Sequence, residues 1–392
     1  MKKIEVTNSN IMGNMNLINI FQLIHKHDSI SRKELAERTD YSPGTISNHV
    51  KTLIKEGYVV ETDKGFSNGG RKPVYLTVNS KKAYMLCVDI EVNKVKIVIF
   101  DLKLKVVMKH TILITDKSSS STIIRKIFTQ IDEMMKDQNL NNDEILGIGI
   151  AVPGLVDKDK GVLEFAPNLG WRDINIVKIF REQYDLPIYL ENEAKVATIG
   201  ERDIIYPEVN NMVFASINEG IGCGIIFDKK LYKGASGNAG EFGHLIIKED
   251  GYECHCGNKG CWETYASESY ILEKIKRLSN KEILDIDEVY KEAKSGNEDF
   301  IKILKKTGEN IGIGLANIVN SLSPELIVIG GNIIKIKEYI SDEVIKVIKA
   351  QSLSVAYKKV DIKFSKLGDN ATVYGIAKLV FDSHINLLRG GE

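Results

Sequence analysis

Apolar residues recur every three to four positions near the start of the chain. Leu17, Ile20, Phe21, Leu23 and Ile24 make one stripe, and that period predicts a helix. Ser31 opens the segment SRKELAERT at capping-box spacing from Glu34, so a second helix begins there with Leu35 and Ala36 turned inward. After the short turn RTDYS comes SPGTISNHVKTLIKEG. Ser42 suits an N-cap and Pro43 the first helical position, Ile46, Val50, Leu53 and Ile54 form the apolar stripe, and Gly57 ends the helix. Two strand-like runs then flank a basic, glycine-rich tip in YVVETDKGFSNGGRKPVYLTV. Helix, short turn, helix and hairpin in this order predict a winged helix-turn-helix of class α+β over residues 1–79.

The polar face of the third helix tells what such a unit reads. Ser42, Gly44, Thr45, Ser47, Asn48, Lys51 and Thr52 are short or polar, able to enter a groove and bond to base edges or phosphates. Arg71 and Lys72 at the wing tip suit the DNA backbone or minor groove. Modules of this kind bind as two-fold dimers, so a roughly palindromic operator is expected. A small helical protein-interaction domain is the competing reading, and the polar outer face followed by a basic wing speaks against it.

From Lys82 the texture becomes α/β. AYMLCVDIEV, KVKIVIFDLK and VVMKHTILI read as three consecutive strands, STIIRKIFTQIDEMMKDQ as a helix and EILGIGIAVPGLVD as a strand ending in a Pro-Gly turn. IVKIFREQY, PIYLEN and EAKVATIGER give helix, strand and helix. NMVFASINEGIGCGIIFDKKLYKG starts the same progression again, and a long helix around IGIGLANIVNSL, the strand ELIVIGG, the strand VDIKF and the helix TVYGIAKLVF complete it. Strand triplets followed by alternating helices and strands, twice over, predict two similar lobes with a cleft between them. The lobes divide as 80–200 and 201–392, with the C-terminal helix returning to the first.

Composition narrows the setting. The 392 residues carry 53 basic and 53 acidic side chains, so no global field draws the chain to nucleic acid or membrane, and any such preference is local. No apolar run approaches the roughly 20 residues of a membrane span, and MKKIEVTNSN lacks the apolar core of a signal peptide. The 5 cysteines are an odd number, mostly clustered, which argues against a secreted disulfide framework and for the cytoplasm.

That cluster, Cys254, Cys256 and Cys261 in CHCGNKGC, has Gly257 and Gly260 to let the chain turn several thiolates onto one point. Its density fits a closed, structural zinc site, with buried free thiols or a redox pair as the alternatives. The fourth ligand is His244 or His255; the second lies between two of the cysteines and is awkward to fold onto the same ion, which favours His244. Glu241 and Glu263 bracket the loop and would be held by it. A rigid carboxylate can accept from two adjacent hydroxyls, so the metal reads as scaffolding for a polyhydroxy ligand.

A Gly-His pair, nine residues and then Cys-x-Cys-Gly-x-x-Gly-Cys-x-Glu resembles the signature of the ROK family of sugar kinases and sugar-responsive repressors. PGLVD, APNLGW, LENEAKVATIGE and SPELIVIGGNI resemble further family segments, and the likeness covers Met85 to about Leu387. It implies an actin-like, two-lobed sugar-kinase-type fold, a homodimer, and zinc held by His244, Cys254, Cys256 and Cys261. It implies sugar-binding roles for Asn168, Asn192, Glu193, Glu241, His244 and Glu263, with Glu193 where the kinases carry their catalytic aspartate. With a winged helix in front, the chain resembles the repressor branch; the pocket residues alone leave xylose, glucose and an N-acetylated sugar open, the overall likeness points to D-xylose, and release of operator DNA is the family's commoner response to its effector.

Two departures bear on enzyme against switch. Kinases of this family hold ATP phosphates partly on an Asp-x-Gly-Gly-Thr-like turn, whereas Asp89 to Val95 reads DIEVNKV, without glycine and with Glu91 where an anion would lie. Glu193 for aspartate moves the carboxylate by roughly 1.5 Å, enough to spoil in-line geometry. The expectation is a sugar pocket without kinase chemistry; an active kinase carrying a DNA-binding domain is the rival, and a sensor for a partner protein a third reading.

Overall fold

The computed structural model describes residues 8–62, 74–114, 119–279, 283 and 285–388. Helices Asn8–Lys26, Arg32–Arg38 and Pro43–Lys55 precede strands Val59–Thr62 and Tyr75–Val78, which pair antiparallel with Val59 opposite Val78. The two-residue strand Ile30–Ser31 adds to the other edge of Tyr75–Val78. Ser31 and Glu34 exchange both capping-box bonds, and the Ser42 hydroxyl accepts from Thr45 N with Pro43 at the helix start. Ile20, Ile24, Leu35, Ile46, Val50 and Leu76 are fully buried between these elements. The first helix starts at Asn8, well before the apolar stripe. Arg71 and Lys72 at the wing tip lie outside the described residues.

Each lobe of the body is built on a five-stranded sheet. In the first, Tyr84–Ile90, Lys94–Asp101 and Val106–Leu113 run antiparallel in succession, and Ile145–Val152 and Ile188–Asn192 add in parallel on the other side. In the second, Met212–Ile217, Ile221–Phe227 and Lys230–Tyr232 are the antiparallel triplet, and Leu326–Gly330 and Asp361–Phe364 the parallel additions. Counted within its lobe, each sheet therefore has the strand order 3-2-1-4-5. This repeated sheet is the actin-like architecture, and it places the turns after the first strands of both lobes at the same cleft.

Helices cover both faces of the sheets, so the central strands are largely buried: every residue of Ile145–Val152 is buried. Helices Glu298–Leu322 and Lys337–Gln351 cover one face of the second sheet. The C-terminal helix Ala371–Leu388 lies on strands Tyr84–Ile90 and Ile145–Val152 of the first lobe and crosses helix Glu193–Gly200. That crossing is in backbone contact, because a Cβ at Gly200 or Gly375 would sit on the carbonyl of Ala371 or Val196. A small antiparallel sheet, Leu155–Asp157, Val162–Ala166 and Trp171–Ile174, occupies the loop region after Ile145–Val152, where strands this short leave little periodicity to read.

Candidate functional site

The cysteine loop begins at the 3-10 turn Phe242–His244 and closes on itself through bridges pairing Ile246 with Cys261 and Glu253 with Lys259. Gly257 and Gly260 take φ of 94° and 78°, the left-handed turns that swing the thiols together. The donor atoms of His244, Cys254, Cys256 and Cys261 all lie within 4.8 Å of one another, the only such tetrad among the described residues. Cys254 Sγ is 3.6 Å from His244 Nδ1, and Cys256 Sγ is 3.7 Å from Cys261 Sγ. Tetrahedral zinc with Zn–S of about 2.3 Å and Zn–N of about 2.0–2.1 Å requires nitrogen-to-sulfur and sulfur-to-sulfur edges of about 3.6 and 3.8 Å. The donor set fits a tetrahedral cation. Burial pushes the Cys254 thiol up and the Cys261 thiol up to about 12, so a cation is what would favour their ionised forms. His255 lies outside the tetrad and lines a neighbouring cavity.

The loop delivers Glu263. Trp262, fully buried, donates from its indole N–H to the Asn310 carbonyl, and Glu263 follows as the first residue of helix Glu263–Ala266. Glu263 Oε2 accepts from Ile221 N at 2.8 Å, beside the Gly220 turn. A Cβ at Gly220 would lie 2.5 Å from that oxygen and 3.7 Å from Asn168 Nδ2. Glycine is thus what gives the Glu263 carboxylate room at this turn, with Asn168 of the first lobe close by. Burial raises the Glu241 carboxyl above its ordinary range, against the pull of His244 and Lys195, with Glu263 adding to the rise. Asn168, Glu241, His244 and Glu263 therefore share one neighbourhood.

The remaining two candidates open helix Glu193–Gly200. Asn192 caps helix Glu193–Gly200, its Oδ1 accepting from Ala194 N and Lys195 N and its Nδ2 donating to the Gly154 carbonyl. Glu193 faces acids: burial first, then the charges of Asp89, Glu91 and Glu219, push its carboxyl well above the usual range. Sequence reasoning missed Lys195, a buried lysine two positions beyond Glu193, whose Nζ donates to the Gly237 carbonyl and feels the charges of Glu191 and Glu241. Its sequence signal was a lysine between the alanine and valine of a short, mostly small-residue helix.

The turn from Asp89 to Val95 carries an ion-pair network. Lys96 Nζ is 2.6 Å from Glu91 and Lys94 Nζ 3.3 Å from it, and Lys94 reaches Asp369 at 3.2 Å. Asn93 Nδ2 donates to Glu219 Oε1 at 3.1 Å, joining the hairpin turns of the two lobes.

On the winged helix, Gly44, Asn48, Lys51 and Thr52 are exposed along the outer face of helix Pro43–Lys55, and Thr45 and Ser47 are half-buried at its flanks. The Ser42 hydroxyl is spent on the cap and on Thr45 Oγ1, at 2.9 Å, and the Thr52 hydroxyl donates to the Asn48 carbonyl. Asn48 and Lys51 are left as the long polar groups of this surface.

Residues 85–383 match the ROK family, and residues 16–60 match a winged helix-turn-helix DNA-binding family. The chain belongs to the ROK family. The xylose repressor of Caldicellulosiruptor bescii is 32% identical over 97% of this chain and 98% of its own length, and that of Bacillus subtilis is 33% identical over 93% and 94%. A solved ROK family transcriptional regulator, homologous to the Escherichia coli MLC protein, superposes with a TM-score of 0.81 at 25% identity, covering 97% of this chain and 99% of its own. A ROK glucokinase from Streptomyces griseus, solved with glucose and AMPPNP, superposes with a TM-score of 0.66 at 23% identity and covers 76% of this chain. Likeness over the full length is thus to ROK regulators, and the likeness to that kinase stops at the fold of the body.

Proposed function

We propose that this protein is a sugar-responsive transcriptional repressor that binds a roughly palindromic operator as a homodimer in the cytoplasm and leaves it when a monosaccharide, D-xylose, enters the cleft. One observation carries the reading: a winged helix with an exposed polar reading face shares a continuous apolar core with a two-lobed body whose cleft gathers Asn168, Glu241, His244 and Glu263. Carboxylates and a carboxamide at fixed separations suit the vicinal hydroxyls of a pyranose, each carboxylate accepting from two. Asn192 and Glu193 complete the set from the first lobe. Zinc on His244, Cys254, Cys256 and Cys261 would fix the loop that aims Glu263, and it supplies rigidity and charge, leaving His244 Nε2 for the ligand.

The same cleft is poorly suited to phosphoryl transfer. Glu91, held by Lys94 and Lys96, occupies the turn where phosphate oxygens would need backbone N–H groups. Glu193 stands where the kinases carry aspartate, and its extra methylene moves the carboxylate by roughly 1.5 Å from the place in-line attack requires.

The C-terminal helix supports a route from cleft to DNA. At one end it packs on helix Glu193–Gly200, which starts at Asn192; at the other, Phe381 lies with ring centroids 6.1 Å from Phe21 and 4.4 Å from His25 of the first helix. Lobe closure on a sugar would move that helix and with it the spacing of two reading heads in the dimer. A ligand shifts the balance only by its difference in affinity for the two arrangements.

Fluorescence anisotropy of the zinc-loaded protein on DNA from upstream of adjacent sugar-catabolic genes tests the proposal. The complex is expected to form and to dissolve on adding D-xylose; a complex indifferent to xylose, glucose and N-acetylglucosamine alike rules out the sensor.

A further inference from the structure

A cavity of about 410 Å³ opens beside the candidate sugar site. Asn168 and Glu263 belong to its lining, but Glu241, His244 and Asn192 do not. It therefore extends away from the place where those three would hold a ring, towards Tyr252 on the metal loop and Tyr270 and Lys274 on helix Glu268–Ser279. That is far more than the ~10–15 Å³ of cavity space that a single water needs, and leaves room for a sugar ring. We infer that the effector cleft has a second subsite, formed between the metal loop and helix Glu268–Ser279, that takes the second pyranose ring of a neutral disaccharide.

The wall of this space is organised in advance. Tyr252 stacks on Tyr265 with centroids 5.0 Å apart, its backbone N–H donates to the Tyr265 hydroxyl at 2.8 Å, and its own hydroxyl accepts from Lys274 Nζ at 2.6 Å. The ring is thus fixed in place while 41% of the residue stays exposed. A rigid amphipathic aromatic beside hydroxyls and carboxylates binds a sugar ring without the ordering cost of a mobile side chain.

Charge decides between ligand classes. Glu219, Glu253, Glu263 and Glu273 line the same space, and its two cations are occupied, Lys274 by Tyr252 and Arg277 by Glu273 at 2.6 Å. A phosphate or uronate would meet net negative charge there. A neutral polyhydroxy ring meets alternating donors and acceptors. The metal loop then serves two subsites at once, one through Glu263 and one through Tyr252.

This inference rests on the sugar-sensor reading, and the test separates the two. Calorimetric titration of the full-length, zinc-loaded protein uses two matched pairs, D-xylose with β-1,4-xylobiose and D-glucose with cellobiose. In the pair that binds, the disaccharide is expected to bind about tenfold more tightly than its monosaccharide. Glu273→Trp, at an exposed helical position, puts bulk into the extension; it should remove that advantage and leave the monosaccharide affinity within about twofold. A monosaccharide that binds while its disaccharide binds no better overturns the subsite and leaves the sensor standing, as does a Glu273→Trp variant that weakens both members alike. If no sugar of either pair binds the parent protein, the sensor reading fails and the subsite with it.

Discussion

Asp89 lies in strand Tyr84–Ile90 at 1% exposure, with no hydrogen-bond donor on either carboxylate oxygen and Lys96 Nζ at 3.8 Å. Burial, and after it the charge of Glu91, pushes its carboxyl up to about 8. The folded state therefore keeps a proton that the unfolded chain releases near pH 4, so this residue lowers stability progressively as pH rises between about 4 and 8. Asp89→Asn cannot ionise, and Lys96 keeps Glu91 at 2.6 Å and the Asp369 carbonyl at 2.8 Å. The variant should melt above the parent at pH 8.5 and close to it at pH 4. Thermal unfolding at both values checks this, and an equal offset at the two would show that Asp89 does not carry the titration. Glu91 was legible as an obstacle to phosphate because it stands in a turn motif. The predicament of Asp89 was not, since strand alternation tells which residues face inward but not whether a donor waits there.

Among the elements, the metal loop and the reading helix can each be tested alone. Removing the cation with a chelator, or replacing Cys254 by Ser, should abolish bound zinc, measured as one equivalent per chain in the parent, and weaken sugar binding by about tenfold or more, because Glu263 loses its support. Retained sugar affinity without metal would mean that Trp262 and the Ile221 N–H hold Glu263 unaided. On helix Pro43–Lys55, Lys51→Ala should weaken operator and unrelated DNA alike and reduce the salt slope by about one counterion, whereas Asn48→Ala should cost about 1–3 kcal/mol on the operator alone. Anisotropy titrations at several salt concentrations separate the two patterns. Both elements were legible in the sequence, since ligand spacing and capping are written within a few residues. Helices Ile286–Lys294 and Lys337–Gln351 were not anticipated, although each is amphipathic.

At the scale of the whole molecule, the reading head and the first lobe share a core. Ile20, Phe21 and Ile24 of the head belong to one buried cluster with Phe100, Val196, Ile376 and Phe381 of the body, and His25 Nε2 lies 2.9 Å from the Leu102 carbonyl. The exposed Lys26–Glu208 pair adds little to this joint. Truncating Phe381, 3% exposed, should loosen the head by up to about 3–5 kcal/mol of lost packing without touching the cleft. Phe381→Ala is therefore expected to bind xylose as the parent does, by calorimetry, while xylose no longer changes its operator affinity to the same degree. Full coupling in that variant would place the signal path elsewhere.

The sequence by itself determined the winged helix, the double strand-triplet progression and the metal tetrad, because caps, periods and ligand spacings act between residues at most about twenty apart. Only the tertiary structure decided what meets what. It set Glu219 against Asn93, 126 positions earlier, Gly200 against Ala371, and the metal loop against helix Glu268–Ser279 to open a second cavity. Such contacts depend on how whole sheets and helices pack, a sum of many weak apolar contacts that no single stretch of chain encodes.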